Sequence, residues 1–108
     1  MKIYSAERGV GKTTALIKES AKTGAIIVVA SYRRVNHTVG LAKRLGLDIP
    51  KPITVTNYLE RLVYRGLSSE QKYLIDELQT MLRKMNVVTA TVDVNCIESI
   101  GEDICALL

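Results

Sequence analysis

A turn with two glycines, followed by a lysine and two threonines, is the segment best suited to chemistry. Residues 6–13 read Ala-Glu-Arg-Gly-Val-Gly-Lys-Thr. Gly9 and Gly11 let the backbone curl so that successive N–H groups converge, and a helix starting near Lys12 directs its positive end to the same point. Converging N–H donors beside an ammonium group bind phosphate oxygens. The predicted nucleotide-binding residues are Ala6, Glu7, Arg8, Gly9, Val10, Gly11, Lys12, Thr13 and Thr14.

This spacing matches the Walker A pattern, with Ala6 in the position of the first glycine. In that pattern the lysine, here Lys12, contacts the β- and γ-phosphates, and the hydroxyl of Thr13 ligates Mg²⁺. The alternative is a chance match in an ordinary turn. An apolar strand pattern before the turn and a helical pattern after it favour the phosphate site, so we expect ATP and Mg²⁺ as ligands.

Two adjacent carboxylates follow a second apolar run, Tyr73-Leu74-Ile75. A magnesium-triphosphate site needs an acidic group at the end of a neighbouring strand and a group that orients water. Asp76 is predicted to hold the metal, mostly through water, and Glu77 to polarise the attacking water. Acids at a helix N-terminus are favourable in any protein, which is the simpler alternative. The Walker A segment upstream favours the functional interpretation.

The elements that must position these groups alternate between short apolar runs and stretches with helical periodicity, which is typical of a parallel α/β sheet. We predict one domain over residues 1–108, with a mostly parallel five-stranded sheet between two layers of helices. The predicted strands are 2–5, 26–30, 53–55, 72–76 and 86–93. The predicted helices are 12–22, 34–45, 57–65, 78–85 and 96–107.

Composition limits the remaining possibilities. The 108 residues are 47% apolar but contain no Trp or Phe, and the net charge is +4. This charge permits contact with nucleic acid without requiring it. We expect Cys96 and Cys105 to be buried free thiols and His37 to lie on a helix surface. We find no secretory signal and no apolar run near the roughly 20 residues that a membrane span needs, which predicts a cytoplasmic protein without membrane contact.

Taken together, these motifs resemble those of the additional-strand ATPases, the group that includes helicases, RecA-like proteins and large terminase subunits. The matching segments are Ala6–Thr14 for helicase motif I, Val29–Arg34 for motif Ia, Leu74–Glu77 for motif II and Thr89–Thr91 for motif III. More narrowly, Arg8–Val29 and Leu45–Pro50 resemble small single-domain P-loop proteins of bacteriophages. The resemblance implies a minimal RecA-like core. If the protein is phage-encoded, it also implies that the protein is located in the host cytoplasm.

The resemblance also implies roles for single residues. Thr91, with Thr89 second, corresponds to the polar group that senses the γ-phosphate, although threonine also simply favours strands. Arg8 lies where terminase-like motors carry an arginine that acts on its own active site; contact with solvent or a nearby acid is the alternative. The predicted catalytic set is therefore Glu77, Lys12, Arg8 and Thr91.

Arg33 and Arg34 follow the second predicted strand, at the edge of the sheet that carries the nucleotide. They are suited to contact DNA or to reach into a neighbour's site, and an ordinary surface pair is the alternative. Helicases carry a second lobe and terminases a nuclease domain; we expect neither here, which limits what the resemblance implies.

Three functions follow from these residues. The first is Mg²⁺-dependent ATP hydrolysis coupled to nucleic acid or to self-assembly, with a homo-oligomer or a protein partner. The second is a nucleotide-binding regulatory module that acts on a replication or packaging partner without turnover. A small-molecule kinase is the third, although the chain leaves little room for a lid and an acceptor pocket. ATP is favoured over GTP because the sequence contains no Asn-Lys-x-Asp element.

Overall fold

The computed structural model describes residues 1–5, 11–65 and 70–99. The strands are β1 (Ile3–Ser5), β2 (Ile26–Val29), β3 (Ile53–Thr54), β4 (Tyr73–Ile75) and β5 (Ile97–Ser99). The helices are α1 (Lys12–Thr23), α2 (Tyr32–Arg44), α3 (Val55–Arg65) and α4 (Leu78–Lys84), with a 3₁₀ turn at Val94–Cys96.

The described strands form two parallel sheets. In the larger sheet, β2 lies between β3 and β4, and Val28 is opposite both Ile53 and Ile75. In the smaller sheet, β1 pairs with β5 and Tyr4 is opposite Glu98. Parallel neighbours require crossover connections. Helix α2 lies between β2 and β3, and α2 and α3 lie between β2 and β4. The predicted parallel α/β class is confirmed, whereas the described strands form sheets of two and three instead of one sheet of five.

Strand β2 is covered by helices on both faces. Ile27 and Val29 pack in one core cluster with residues of α1 and α2, including Ile17 and Val35. Val28 points to the other face and belongs to a cluster with residues of α3 and α4. Alternate residues of a strand point to opposite faces, so these two clusters define three layers around β2. This burial explains the continuous apolar run in its sequence.

Helix ends follow local chemistry. Gly24 has φ +78°, and its N–H donates to Ser20 O at 2.8 Å, which closes α1 as predicted. Helix α3 begins at Val55, two residues earlier than predicted. The reason is that the hydroxyl of Thr54 accepts the Asn57 N–H at 3.1 Å, so Thr54 acts as the N-terminal cap.

The predicted fifth strand at 86–93 is wrong. Residues 87–93 form no regular structure, and Val88 is 96% exposed. Their β-branched composition suits a pleated and half-buried surface, but the position beside β1 is taken by Ile97–Ser99. The predicted helix at 96–107 is also wrong over its described part, because Cys96 ends the 3₁₀ turn and β5 follows it. Residues 100–108 lie outside the described part.

The histidine, the cysteines and the helix lengths were also predicted from the sequence. His37 is exposed on α2, as predicted, whereas Cys96 is a free thiol that is only half-buried. Cys105 lies outside the described residues. Among those that the structure describes, the longest helix has 13 residues, and none is long and apolar enough to cross a membrane.

Candidate functional site

The carboxyl end of β1 leads into the predicted phosphate loop. Residues 6–10, including Arg8, lie outside the described residues. Gly11 is described and has φ +77°, a conformation that glycine adopts without strain. Its carbonyl accepts the first helical bond of α1, from the Ala15 N–H at 3.0 Å. Lys12 and Thr13 therefore lie in the first turn of α1, as the sequence predicts.

Asp76 comes directly after β4 and meets Thr13 at the same edge. Its N–H donates to Val28 O at 2.9 Å, which extends the pairing of β2 with β4 by one bond. The Thr13 hydroxyl donates to Asp76 Oδ2 at 3.2 Å, although the two residues are 63 positions apart in the sequence. Carboxyl ends of parallel strands are where α/β proteins assemble ligand sites. The parallel topology thus brings together the two predicted metal ligands.

The Asp76 carboxylate is 6% exposed, and its surroundings compensate its charge incompletely. Burial raises its pKa above the ordinary value and is the largest influence. The Thr13 hydrogen bond and the Arg34 charge lower this pKa, the negative charge of Glu77 raises it, and Lys12 lowers it again. A buried carboxylate of this kind is suited to receive a further cation.

Among the described residues, Arg34 forms an ion pair with Asp76. Its Nη2 lies 3.9 Å from Asp76 Oδ2, and its side chain is 39% exposed. The neighbouring Arg33 is exposed. Sequence reasoning placed the arginine pair at this edge but missed the contact between Arg34 and Asp76. Helical periodicity distinguishes the two residues, because Arg34 is four residues before buried Thr38 and Arg33 is four residues before exposed His37.

Glu77 lies next to Asp76 in an unusual backbone conformation. Its φ and ψ are 61° and 69°, the left-handed region that residues with a side chain rarely adopt. Its carboxylate is exposed and accepts the Thr80 hydroxyl at 3.4 Å on its own helix. Strained backbone of this kind clusters at functional sites, which makes Glu77 a notable position beside the buried acid.

Thr91 and Thr89 do not belong to this arrangement. Both are exposed on the irregular segment that precedes the 3₁₀ turn, and neither lies on a strand. Their predicted role depended on a position inside a central strand. That strand prediction is wrong, so nothing in the structure supports a phosphate-sensing role for Thr91.

A cleft of about 550 Å³ runs between β1 and β4. Ile3 and Tyr4 line it from β1, and Leu74 lines it from β4. Lys12 and Asp76 line it at the carboxyl ends of the strands. The cleft therefore opens from the apolar space between the two sheets to the polar edge where Thr13 meets Asp76.

The donor set at this edge fits magnesium. Mg²⁺ prefers hard oxygen ligands and usually combines one or two protein groups with water and phosphate oxygens. The Thr13 hydroxyl and the buried Asp76 carboxylate provide two such oxygens next to one another. The described residues contain no group of three or more His, Cys, Asp or Glu side chains that could hold a metal alone. Water and phosphate oxygens would complete the coordination of a metal held by Thr13 and Asp76.

The chain was compared with protein-family models, curated proteins and solved structures, and none of the three comparisons found a match. The described residues define an α/β protein with parallel strands, helices on both faces of β2 and a buried acid at the carboxyl edge of its sheet.

Proposed function

We propose that this chain is a minimal P-loop ATPase that binds magnesium-ATP at the carboxyl edge of its strands and hydrolyses it. The observation that carries the proposal is the 3.2 Å contact between Thr13 and Asp76. A hydroxyl in the first turn after a glycine-rich segment and an acid after a neighbouring strand are the two protein groups that such a site requires.

The binding roles follow from position. Residues 6–11 and the N-terminus of α1 would cradle the phosphates, with Lys12 as the point charge. Thr13 and Asp76 would hold magnesium, which when bound neutralises charge on the phosphate oxygens. Arg8 would add a second positive charge from within the loop.

Glu77 would orient and polarise the attacking water. It adjoins Asp76 and is exposed to solvent, so water has access to it. Its Oε2 accepts the Thr80 hydroxyl at 3.4 Å, and the second carboxylate oxygen would be the one that acts on water.

A second function has an observation of its own. If the Thr80 contact holds Glu77 away from the attacking water, the protein binds nucleotide without turnover and acts as a regulatory module on a replication or packaging partner. Both functions place the protein in the cytoplasm, and in the host cytoplasm if it is phage-encoded. DNA, a second copy of the chain or a protein partner would then be what responds to the nucleotide.

Four variants test these proposals: Lys12→Ala, Asp76→Asn, Glu77→Gln and, as a control, Lys18→Ala on the exposed face of α1. Magnesium-ATP affinity is measured by titration calorimetry. Turnover is measured over a range of protein concentrations, with and without single- and double-stranded DNA. We expect Lys12→Ala to weaken binding at least 10-fold and Asp76→Asn to remove the magnesium dependence of affinity. We expect Glu77→Gln to bind normally with turnover reduced about 10²-fold or more.

The outcomes separate the two functions. Binding without turnover in the wild type, unchanged by Glu77→Gln, supports the regulatory module and rejects the ATPase. The nucleotide site itself is rejected if Lys12→Ala binds magnesium-ATP as tightly as the wild type. It is also rejected if Lys12→Ala and Lys18→Ala lose the same amount of affinity.

A further inference from the structure

Arg34 approaches the same carboxylate oxygen that Thr13 contacts. Its guanidinium lies 3.9 Å from Asp76 Oδ2, and the Thr13 hydroxyl lies 3.2 Å from that oxygen. Two side chains, one from α1 and one from α2, thus converge on one oxygen of the acid at the end of β4. All three belong to a single chain, so a neighbouring molecule is not needed to bring an arginine to this edge.

The guanidinium retains capacity for another anion. A separation of 3.9 Å is an ion pair and is too long for a hydrogen bond. Within the described part of the chain, this ion pair is the polar contact that the Arg34 side chain makes. Arginine carries five N–H donors in a planar fork that matches phosphate oxygens, and it stays charged at every physiological pH.

We propose that Arg34 senses the terminal phosphate of the nucleotide bound to its own chain. The proposal rests on the proposed function, because it assumes magnesium-ATP at Thr13 and Asp76. Once Asp76 Oδ2 is engaged in holding a divalent cation, that oxygen no longer favours a second cation beside it. The 39% exposed guanidinium then takes the adjacent terminal phosphate as its partner. A diphosphate lacks this group, so Arg34 distinguishes ATP from ADP.

The test compares two affinities in each variant. Calorimetry measures the Kd of magnesium-ADP and of a non-hydrolysable magnesium-ATP analogue for the wild type, Arg34→Gln, Arg34→Lys and Arg33→Gln. Arg33→Gln is the matched control, because it removes the same charge from the adjacent exposed position. We expect Arg34→Gln to weaken the ATP analogue about 10- to 100-fold and ADP by less than about 3-fold. Arg34→Lys should fall between it and the wild type, and Arg33→Gln should change neither affinity.

The ratio of the two affinities is the deciding readout, since a general structural defect weakens both nucleotides together. If Arg34→Gln weakens the ATP analogue and ADP by the same factor, the ratio of their affinities is unchanged and the proposal is overturned. A wild-type ratio that rises with protein concentration also overturns it, because it would show that the arginine acts on a neighbour. If Arg34→Gln does not fold, as judged by thermal melting, Arg34→Lys decides by the same ratio.

The result also separates this proposal from the one on which it rests. If Lys12→Ala loses both nucleotides while Arg34→Gln keeps the wild-type ratio, the nucleotide site stands and the role of Arg34 alone fails. If the wild type binds neither nucleotide, both proposals fail.

Discussion

Glu77 occupies a conformation that costs stability. For residues other than glycine the left-handed region is unfavourable by roughly 1–2 kcal/mol, and asparagine tolerates it better than glutamate does. Asn86, the other described residue of this kind, illustrates that tolerance with φ 62°. The strain at Glu77 lies beside a buried carboxylate, at the position where the proposed reaction needs a water-orienting group. Stability alone would favour asparagine or glycine over glutamate at position 77.

We therefore expect Glu77→Asn to stabilise the protein and to impair the proposed hydrolysis. Relief of backbone strain should raise the free energy of unfolding by about 0.5–1 kcal/mol, while turnover falls about 10²-fold or more. Urea unfolding and ATP turnover measure the two effects.

The control is Glu60→Asn on the exposed surface of α3. There the same change should destabilise slightly, because asparagine is the poorer helix former. Loss of stability in both variants would contradict the assigned strain.

At the scale of elements, α2 carries a buried polar group without a partner. Thr38 is fully buried on this helix, and within the described structure its hydroxyl makes no hydrogen bond. An unsatisfied buried hydroxyl costs about 1–3 kcal/mol. The apolar neighbours on the same face, Val35 and Ala42, show that α2 would pack equally well with an apolar side chain here.

Thr38→Val should accordingly stabilise the fold. Valine has nearly the shape of threonine and removes the unpaired hydroxyl, so we expect a gain of about 1 kcal/mol, or a rise in Tm of about 4–8 °C. Thermal unfolding followed by circular dichroism measures it. Thr56→Val on α3, where the hydroxyl is exposed, is the matched control and should give no gain. A drop in Tm for Thr38→Val would mean that the hydroxyl has a structural partner.

At the scale of the whole molecule, the described strands are divided into two sheets with a cleft between β1 and β4. The Thr13 hydroxyl belongs to the helix that follows β1, and Asp76 follows β4. Helix α1 packs on β2 of the larger sheet, and β4 belongs to the same sheet. A ligand that engages both residues therefore ties α1 to the end of β4 at one wall of the cleft.

We expect saturating magnesium-ATP to slow amide exchange in β4 and in the first turn of α1, with little change in β3. Hydrogen exchange followed by mass spectrometry measures this pattern, and Lys12→Ala should lose it. Slowing that is uniform over the chain, or that persists in Lys12→Ala, would count against a ligand held between α1 and the end of β4.

Much of this protein was readable from local sequence. The apolar run of β2, the glycine that closes α1 and the acid pair after β4 were all predicted, because each depends on residues close in the chain. The predicted meeting of Thr13 and Asp76 also followed, since parallel strands bring their carboxyl ends to one edge.

Tertiary structure decided the rest. Residues 87–93 have the composition of a strand, yet 97–99 pair with β1, because strand formation depends on which segment finds an open edge. Arg33 and Arg34 are adjacent residues of one type, and the packing of one face of α2 brings Arg34 to Asp76 while Arg33 stays exposed. Likewise, no local pattern records that the described strands divide between two sheets. Pairings over long separations depend on competition among the whole set of segments, and local propensity carries no information about that competition.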